Sequence, residues 1–371
     1  RTRRANLFIA LGIFGAALLY GDGMITPAIT VLGAVEGLSV ITEFFNPYIL
    51  PISLTIIFGI FLIQKWGTAR IGAYFGPIIL IWFFTIGALG LWSIIAHPHV
   101  LLAVNPYYGI KFLLTHGVLG FALLGSVFLA VTGGESLYAD IGHFGRIPIR
   151  NGWFVVALPC LLLNYFGQGA ILLVDKSAIA NPFFALTPKV LLYPMVVLAT
   201  MAASIASQAV ITGAFSITRQ AVQLGFLPRL KILHTSSHTI GQIYVPVVNT
   251  LLMLATFGLV VGFGSSSALS AAYGVAVSTT MLITSTLLAI YMKHAWKWPV
   301  YKIALTAGVF LIIDITFWAS TMLKVPHGGW FPLLGGIALF MVMTTWKKGR
   351  GLLYDRLRKR TLSLENFVAS V

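Results

Sequence analysis

The sequence predicts an all-α polytopic membrane protein of about ten transmembrane helices, and three observations predict it. Hydrophobic residues make up 58% of the chain and charged residues 9%, with a mean hydropathy of +0.94, far from the balance of a water-soluble domain. The apolar residues gather in continuous runs of membrane-crossing length, which takes roughly 20 residues of helix. Lys and Arg concentrate in alternate joints between those runs, as the positive-inside pattern requires. Because the runs are continuously apolar rather than alternating, a transmembrane barrel is excluded.

In chain order, Arg1, Arg3 and Arg4 precede the first run, 6–37. Lys65 and Arg70 separate the second, 48–64, from the third, 71–96, and Arg146 and Arg150 stand between the fourth, 117–138, and the fifth, 152–174. Arg219, Arg229 and Lys231 lie between the sixth, 190–217, and the seventh, 244–263; Lys293, Lys297 and Lys302 join the eighth, 267–292, to the ninth, 300–322. The tenth, 330–346, completes a transmembrane domain over 1–346 and leads into a basic tail, 347–371, carrying Lys347, Lys348, Arg350, Arg356, Arg358, Lys359 and Arg360. Only Lys111, Lys176, Lys189 and Lys324 fall in the opposite joints, so both ends are expected on the cytoplasmic side. The net charge of +15 is scattered through joints rather than gathered on one face, which argues against nucleic acid. Cys160 is the single cysteine and sits in an apolar run, so neither a disulfide nor a thiolate metal site is expected. The chain opens on Arg1 without a signal-peptide pattern, so its natural start is expected upstream, and the tail reads as the neck of a further cytoplasmic domain.

Function is sought where the membrane carries polar groups, because carboxylates in lipid are costly without a use. In the first run Asp22, Thr26 and Thr30 recur at steps of four and share one helical face, and Glu36 returns to nearly the same face. Pro27 has no amide hydrogen, so the carbonyl of Gly23 loses its helical partner. The column offers hard oxygen ligands with few full charges, suited to an alkali cation rather than to zinc or copper. The competing reading is a Pro-kinked helix whose Thr hydroxyls bond back to the preceding turn and whose Asp pairs with a neighbouring helix.

A second candidate is Thr132-Gly133-Gly134-Glu135-Ser136-Leu137-Tyr138, where paired glycines near the end of an apolar run invite unwinding. Broken helices at the midplane are how carriers expose carbonyls to ions. A partly dry setting favours a protonated carboxyl, so Glu135 is a candidate to load and unload a proton. The alternative is a packing pair of glycines with Glu135 bonded to a neighbouring hydroxyl. Ser204, Gln208, Thr212 and Ser216, with Ser207 beside them, form a polar stripe that serves either helix packing or ion contact. In the eighth run the Tyr273 hydroxyl is the group able to reach an ion, while Asp314 reads as a hydrogen-bonded or ion-paired structural residue. Asp140, His143 and Arg146 form a polar cluster at the cytoplasmic end, and the histidines lie in joints without metal-ligand pairing beyond a weak His97 and His99.

Several runs resemble the KUP/HAK/KT potassium-uptake family. They are Gly21-Asp22-Gly23-Met24-Ile25-Thr26-Pro27-Ala28-Ile29, Val35-Glu36-Gly37-Leu38, Thr132 through Asp140, Gly142-His143-Phe144-Gly145, Ser207 through Ser216 with Thr218-Arg219-Gln220, Tyr244 through Asn249, Gly262 through Ser267, and His327 through Pro332. Residue chemistry alone reaches a membrane carrier of a hard cation. The resemblance adds potassium uptake coupled to proton symport, in a bacterial inner membrane, by a protein that is not an enzyme and needs no cofactor. It implies a twelve-helix LeuT-type inverted-repeat transporter of which these ten helices are the third to the twelfth; nothing here matches the family's first, broken helix. It further implies potassium ligands at Asp22, Thr26, Thr30, Thr132 and Tyr273, proton coupling at Glu135, and an ion path or gate at Tyr20, Glu36, Tyr138 and Asp140. Potassium ions, protons, membrane lipid and a second copy of the chain are the implied partners.

Overall fold

The computed structural model describes residues 3–66, 68–134, 145–235 and 243–360. Within them ten helices are long and apolar enough to cross a membrane. The protein is an all-α polytopic membrane protein. The only strand pairing among the described residues is a short antiparallel ribbon, β1 (Leu233–His234) with β2 (Ile243–Tyr244).

The helix α1 (Arg3–Val35) lies at the centre of the bundle. It is apolar around most of its circumference, the pattern of a helix enclosed by others, and Leu18, Ile25, Ala28, Val31 and Leu32 are fully buried. Around it stand α2 (Ile49–Ile63), α6 (Leu192–Gln223), α7 (Pro246–Phe263), α8 (Ser266–His294) and α10 (Trp330–Arg360). One core cluster joins Ile25 and Val31 to Phe61 of α2, Phe215 of α6, Leu252 of α7 and Leu269 of α8.

Two helix pairs flank this centre. The first is α3 (Thr68–Ala96) with α5 (Leu158–Val174), which meet where Gly90 and Gly167 replace side chains with bare backbone. A Cβ on Gly167 would stand 2.4 Å from the Gly90 Cα, and Ser93 Oγ donates across the contact to the Gly167 carbonyl at 3.0 Å. Small residues permitting close backbone approach are the usual adhesive where lipid removes the hydrophobic driving force. The second pair is α4 (Pro106–Val127) with α9 (Val300–Met322), which reaches the centre through α8. Outward faces are apolar: Trp92, Leu114 and Val118 are at least 80% exposed, a surface that in water would drive association and on these helices meets lipid.

The ten apolar runs correspond to the ten helices; the bounds differ most in the fourth, the sixth, which runs on to Gln223 instead of 217, and the tenth. The fourth begins at Pro106 instead of 117, because Asn105 caps it by accepting from Tyr107 N at 3.0 Å and Pro106 takes the first position. Lys111 and His116, read as parts of a joint, are therefore helical, and the turn expected there survives as a kink at Gly117 (φ 49°, ψ −118°). The tenth does not stop at 346 but continues as one helix to Arg360. At the end of α5, Asp175 accepts from the amide and hydroxyl of Ser177 (2.8 and 2.6 Å), which hold its carboxyl below the usual carboxylate range.

Candidate functional site

The oxygen-bearing column of α1 is built by its own repeat. Asp22 and Thr26 are one turn apart, both buried, and Thr26 Oγ1 donates to Asp22 Oδ1 at 2.6 Å. One turn on, Thr30 Oγ1 donates to the Thr26 carbonyl at 2.6 Å and lies 3.3 Å from Ser207 Oγ on α6. Both the column and the back-bonding of its alternative reading are thus present in one helix: Thr30 bonds to the preceding turn, while Thr26 turns its proton to the carboxylate and keeps lone pairs for another donor or a cation. The helix runs through Pro27 without interruption, and Pro27 deprives the Gly23 carbonyl of an amide partner without breaking the backbone path. Packing explains this continuity: Gly23 faces Ala214 and Leu252, and Thr256 of α7 donates to the Met24 carbonyl at 3.2 Å.

Neighbouring helices are held in register against the column. Tyr20 OH lies 2.7 Å from Thr218 Oγ1, Gly23 faces Ala214 and Thr30 meets Ser207, so α6 runs antiparallel to α1. On the other side Gly12 faces Leu287, Gly15 faces Ile283 and Gly33 faces Ser266, so α8 is antiparallel as well. That register brings Tyr273 level with Thr26, and Tyr273 packs half-buried against the α1 cluster. The polar stripe of α6 is mostly turned inward on its own helix: Ser204, Ser207, Thr212 and Ser216 each donate to the carbonyl four residues back. Its exception is Gln208, whose Oε1 is buried without a hydrogen-bond partner.

Glu36 sits in the turn after α1 and is engaged by Ser266, whose amide donates to Oε1 at 2.8 Å and whose hydroxyl donates to Oε2. Asp314 follows its hydrogen-bonded reading, accepting from Ser285 Oγ of α8 at 2.5 Å.

The second candidate is a broken helix. After Val127 the chain tightens into a 3-10 turn, Phe128–Val131, then extends at Thr132 (φ −91°, ψ 174°) and enters the left-handed region at Gly133 (φ 96°). Side chains serve two carbonyls at the break: Thr132 Oγ1 donates to Leu129 O at 2.8 Å, beside the Thr132 amide at 3.4 Å, and Tyr165 OH donates to Ala130 O at 2.9 Å. An open, largely apolar cavity of about 1140 Å³ surrounds the break, lined by Phe83, Thr132, Gly133, Arg150, Tyr165 and Met281 among others. None of the α1 column lines it. Just before the break, Lys324 Nζ donates to Ser126 Oγ at 2.7 Å, and desolvation lowers the pKa of this lysine. Glu135, Tyr138, Asp140 and His143 lie outside the described residues. Among the described residues no group of three His, Cys, Asp or Glu side chains could hold a metal ion.

Sequence reasoning missed Thr218, Thr256 and Ser266 as partners of α1. Each is an ordinary helical hydroxyl in sequence, and only the packing of α6, α7 and α8 on α1 brings it to Tyr20, Met24 or Glu36. Comparison with known proteins places the whole arrangement: a family model described as the K+ potassium transporter integral membrane domain matches residues 1–351.

The chain belongs to the KUP/HAK/KT potassium-transporter family.

This is a transporter family, not a family of enzymes. The chain is 53% identical over 366 residues to a probable potassium transport system protein Kup of Bdellovibrio bacteriovorus, covering 99% of the chain and 55% of that protein. It is 53% identical over 365 residues to the corresponding Chlorobaculum tepidum protein (98% and 60%) and 51% identical over 371 residues to that of Cupriavidus pinatubonensis (100% and 58%). The chain therefore spans somewhat more than half the length of these Kup relatives.

Proposed function

We propose that this chain carries the ion-translocating helices of a potassium-uptake protein that moves potassium together with protons across a bacterial inner membrane by alternating access. The observation that carries the reading is the Asp22–Thr26 pair, a carboxylate and hydroxyl buried at the centre of the bundle, in a chain about half of whose residues are identical to proteins named for potassium transport. One carboxylate among neutral oxygens suits a monovalent hard cation, since it offsets one charge without the ligand field that a divalent ion demands.

On this reading Asp22, Thr26 and Thr30, with Tyr273 level with Thr26, hold potassium at the centre of the bundle, and Thr132 on the unwound segment supplies a further ligand. Glu135 carries the coupled proton, and Tyr20, Tyr138 and Asp140 border the path. Rocking of one group of helices against another, in a LeuT-type inverted-repeat arrangement, exposes the ion to each side in turn. The basic residues of the α10 extension favour a cytoplasmic end against anionic lipid, and the protein works as a homodimer.

The test is rubidium uptake by potassium-starved cells lacking other uptake systems, with the protein at its natural length and its Asp22→Asn and Glu135→Gln variants, across external pH. Proton-dependent uptake that both substitutions abolish supports the reading. Uptake unchanged in both variants refutes the two residue roles, and no rescue by the parent protein refutes potassium uptake itself.

A further inference from the structure

Two motifs have no part in ion binding so far, Val35-Glu36-Gly37-Leu38 and Gly262 through Ser267, and the structure brings them into contact. α7 ends at Phe263, and Gly264 takes a left-handed conformation (φ 71°) that turns the chain into α8. Ser265 caps α8 from within the turn by accepting from Ala268 N at 3.3 Å. Glu36 supplies a second cap, and this one comes from a different helix: one carboxylate oxygen accepts the Ser266 amide at 2.8 Å and the other accepts the Ser266 hydroxyl. The first amides of a helix have no intrahelical acceptor, and a negative charge there is favoured by the helix dipole. Three residues earlier Gly33 also meets Ser266, where a Cβ would stand 3.5 Å from the Ser266 Cβ. The end of α1 and the start of α8 are therefore pinned together at one point.

That point is remote from the ion column. Glu36 is fourteen residues beyond Asp22, about 21 Å along a helix rising 1.5 Å per residue, too far for both carboxylates to hold one ion. From Ser266, however, two turns of α8 lead to Tyr273, which comes level with Thr26. A slip of α8 along α1 would carry Tyr273 past the column, and a fixed contact at the end of both helices is what resists such a slip.

We infer that Glu36 is a positioning residue whose two-oxygen clamp on Ser266 sets the register of α8 against α1, and with it the placement of Tyr273 level with Thr26. This rests on the ion-site reading proposed above. It assigns Glu36 an action through Ser266 rather than direct contact with the ion.

The test is rubidium uptake kinetics for the parent, Glu36→Gln, Ser266→Ala, the double variant, Ser266→Thr and Asp22→Asn, at matched amounts of protein in the membrane. Glu36→Gln and Ser266→Ala should each raise KM by about fivefold or more, as loss of a charge-assisted hydrogen bond implies, with Vmax nearly unchanged. The double variant should be no worse than the more affected single one, because the two residues act as a unit. Ser266→Thr, which keeps both the amide and a hydroxyl, should behave as the parent does. A raised KM in Asp22→Asn beside unchanged values in both clamp variants overturns the clamp and leaves the ion site standing. An unchanged KM in Asp22→Asn brings down the ion site and the clamp with it. Effects that add in the double variant, or that fall on Vmax or protein amount alone, overturn the clamp.

Discussion

The two candidate ion-handling segments solve opposite problems. In α1 a proline stands mid-helix and the helix does not break; at the end of α4 no proline is present and the helix comes apart. The difference lies in what surrounds them. α1 is enclosed by five other helices and Gly23, Ile25, Thr26, Pro27 and Ala28 are buried, whereas Val131, Gly133 and Gly134 at the end of α4 are exposed. Neighbouring packing keeps Pro27 in line and leaves only a carbonyl without its amide. Thr132 is only partly buried, and among the described residues a Cβ on Gly133 or Gly134 would meet nothing within 4 Å. The buried candidate ligands and the exposed, unwound segment thus stand on separate helices.

The comparison is broken most severely at Asp22. Asp22→Asn removes the only charge in the column and should lower rubidium uptake at least about tenfold, since interactions with a buried charge are worth roughly 1.5–3 kcal/mol; uptake at parental rates would mean the buried segment is not the ligand set. Next comes Thr26→Val, which keeps the shape but removes the donor to Asp22. It should raise the KM for rubidium by about fivefold or more, with Thr26→Ser restoring it, as measured by uptake across rubidium concentrations.

The broken segment is sharpened by a pair of glycines. Gly133→Ala forces a side chain into a left-handed conformation at a cost of about 1–2 kcal/mol. Gly134→Ala meets no positive φ and, among the described residues, no neighbour. Uptake normalised to membrane protein should therefore fall in the first variant and stay near the parental level in the second; equal effects would show that the unwinding is not set by Gly133. The smallest effect is expected from Pro27→Ala. It returns an amide to the Gly23 carbonyl within an already continuous helix, so thermal stability in detergent should hold or rise while the KM for rubidium rises by about threefold or less.

Much of this architecture was legible from residue type alone. Runs such as 48–64 and 300–322 are so continuously apolar that length decides the matter, and the helices found there keep nearly those bounds. The 106–116 segment was illegible because Lys111, His116 and two tyrosines resemble a joint, and the Asn105 cap that starts the helix acts through local geometry. At the site, the step-of-four spacing revealed Asp22, Thr26 and Thr30, because one helix supplies all three. The partners of Tyr20, Thr30 and Glu36 were not legible: Thr218, Ser207 and Ser266 lie some 180 to 230 positions away, and nothing local marks which hydroxyl an antiparallel neighbour will present.

The most direct measurement is equilibrium binding of radioactive rubidium to the purified protein at its natural length, parent against Asp22→Asn. Saturable binding displaced by potassium and not by sodium, weakened at least about tenfold by the substitution, is the predicted result. Binding of equal affinity in the two proteins would contradict the assignment of the buried Asp22–Thr26 pair as the ion's ligands.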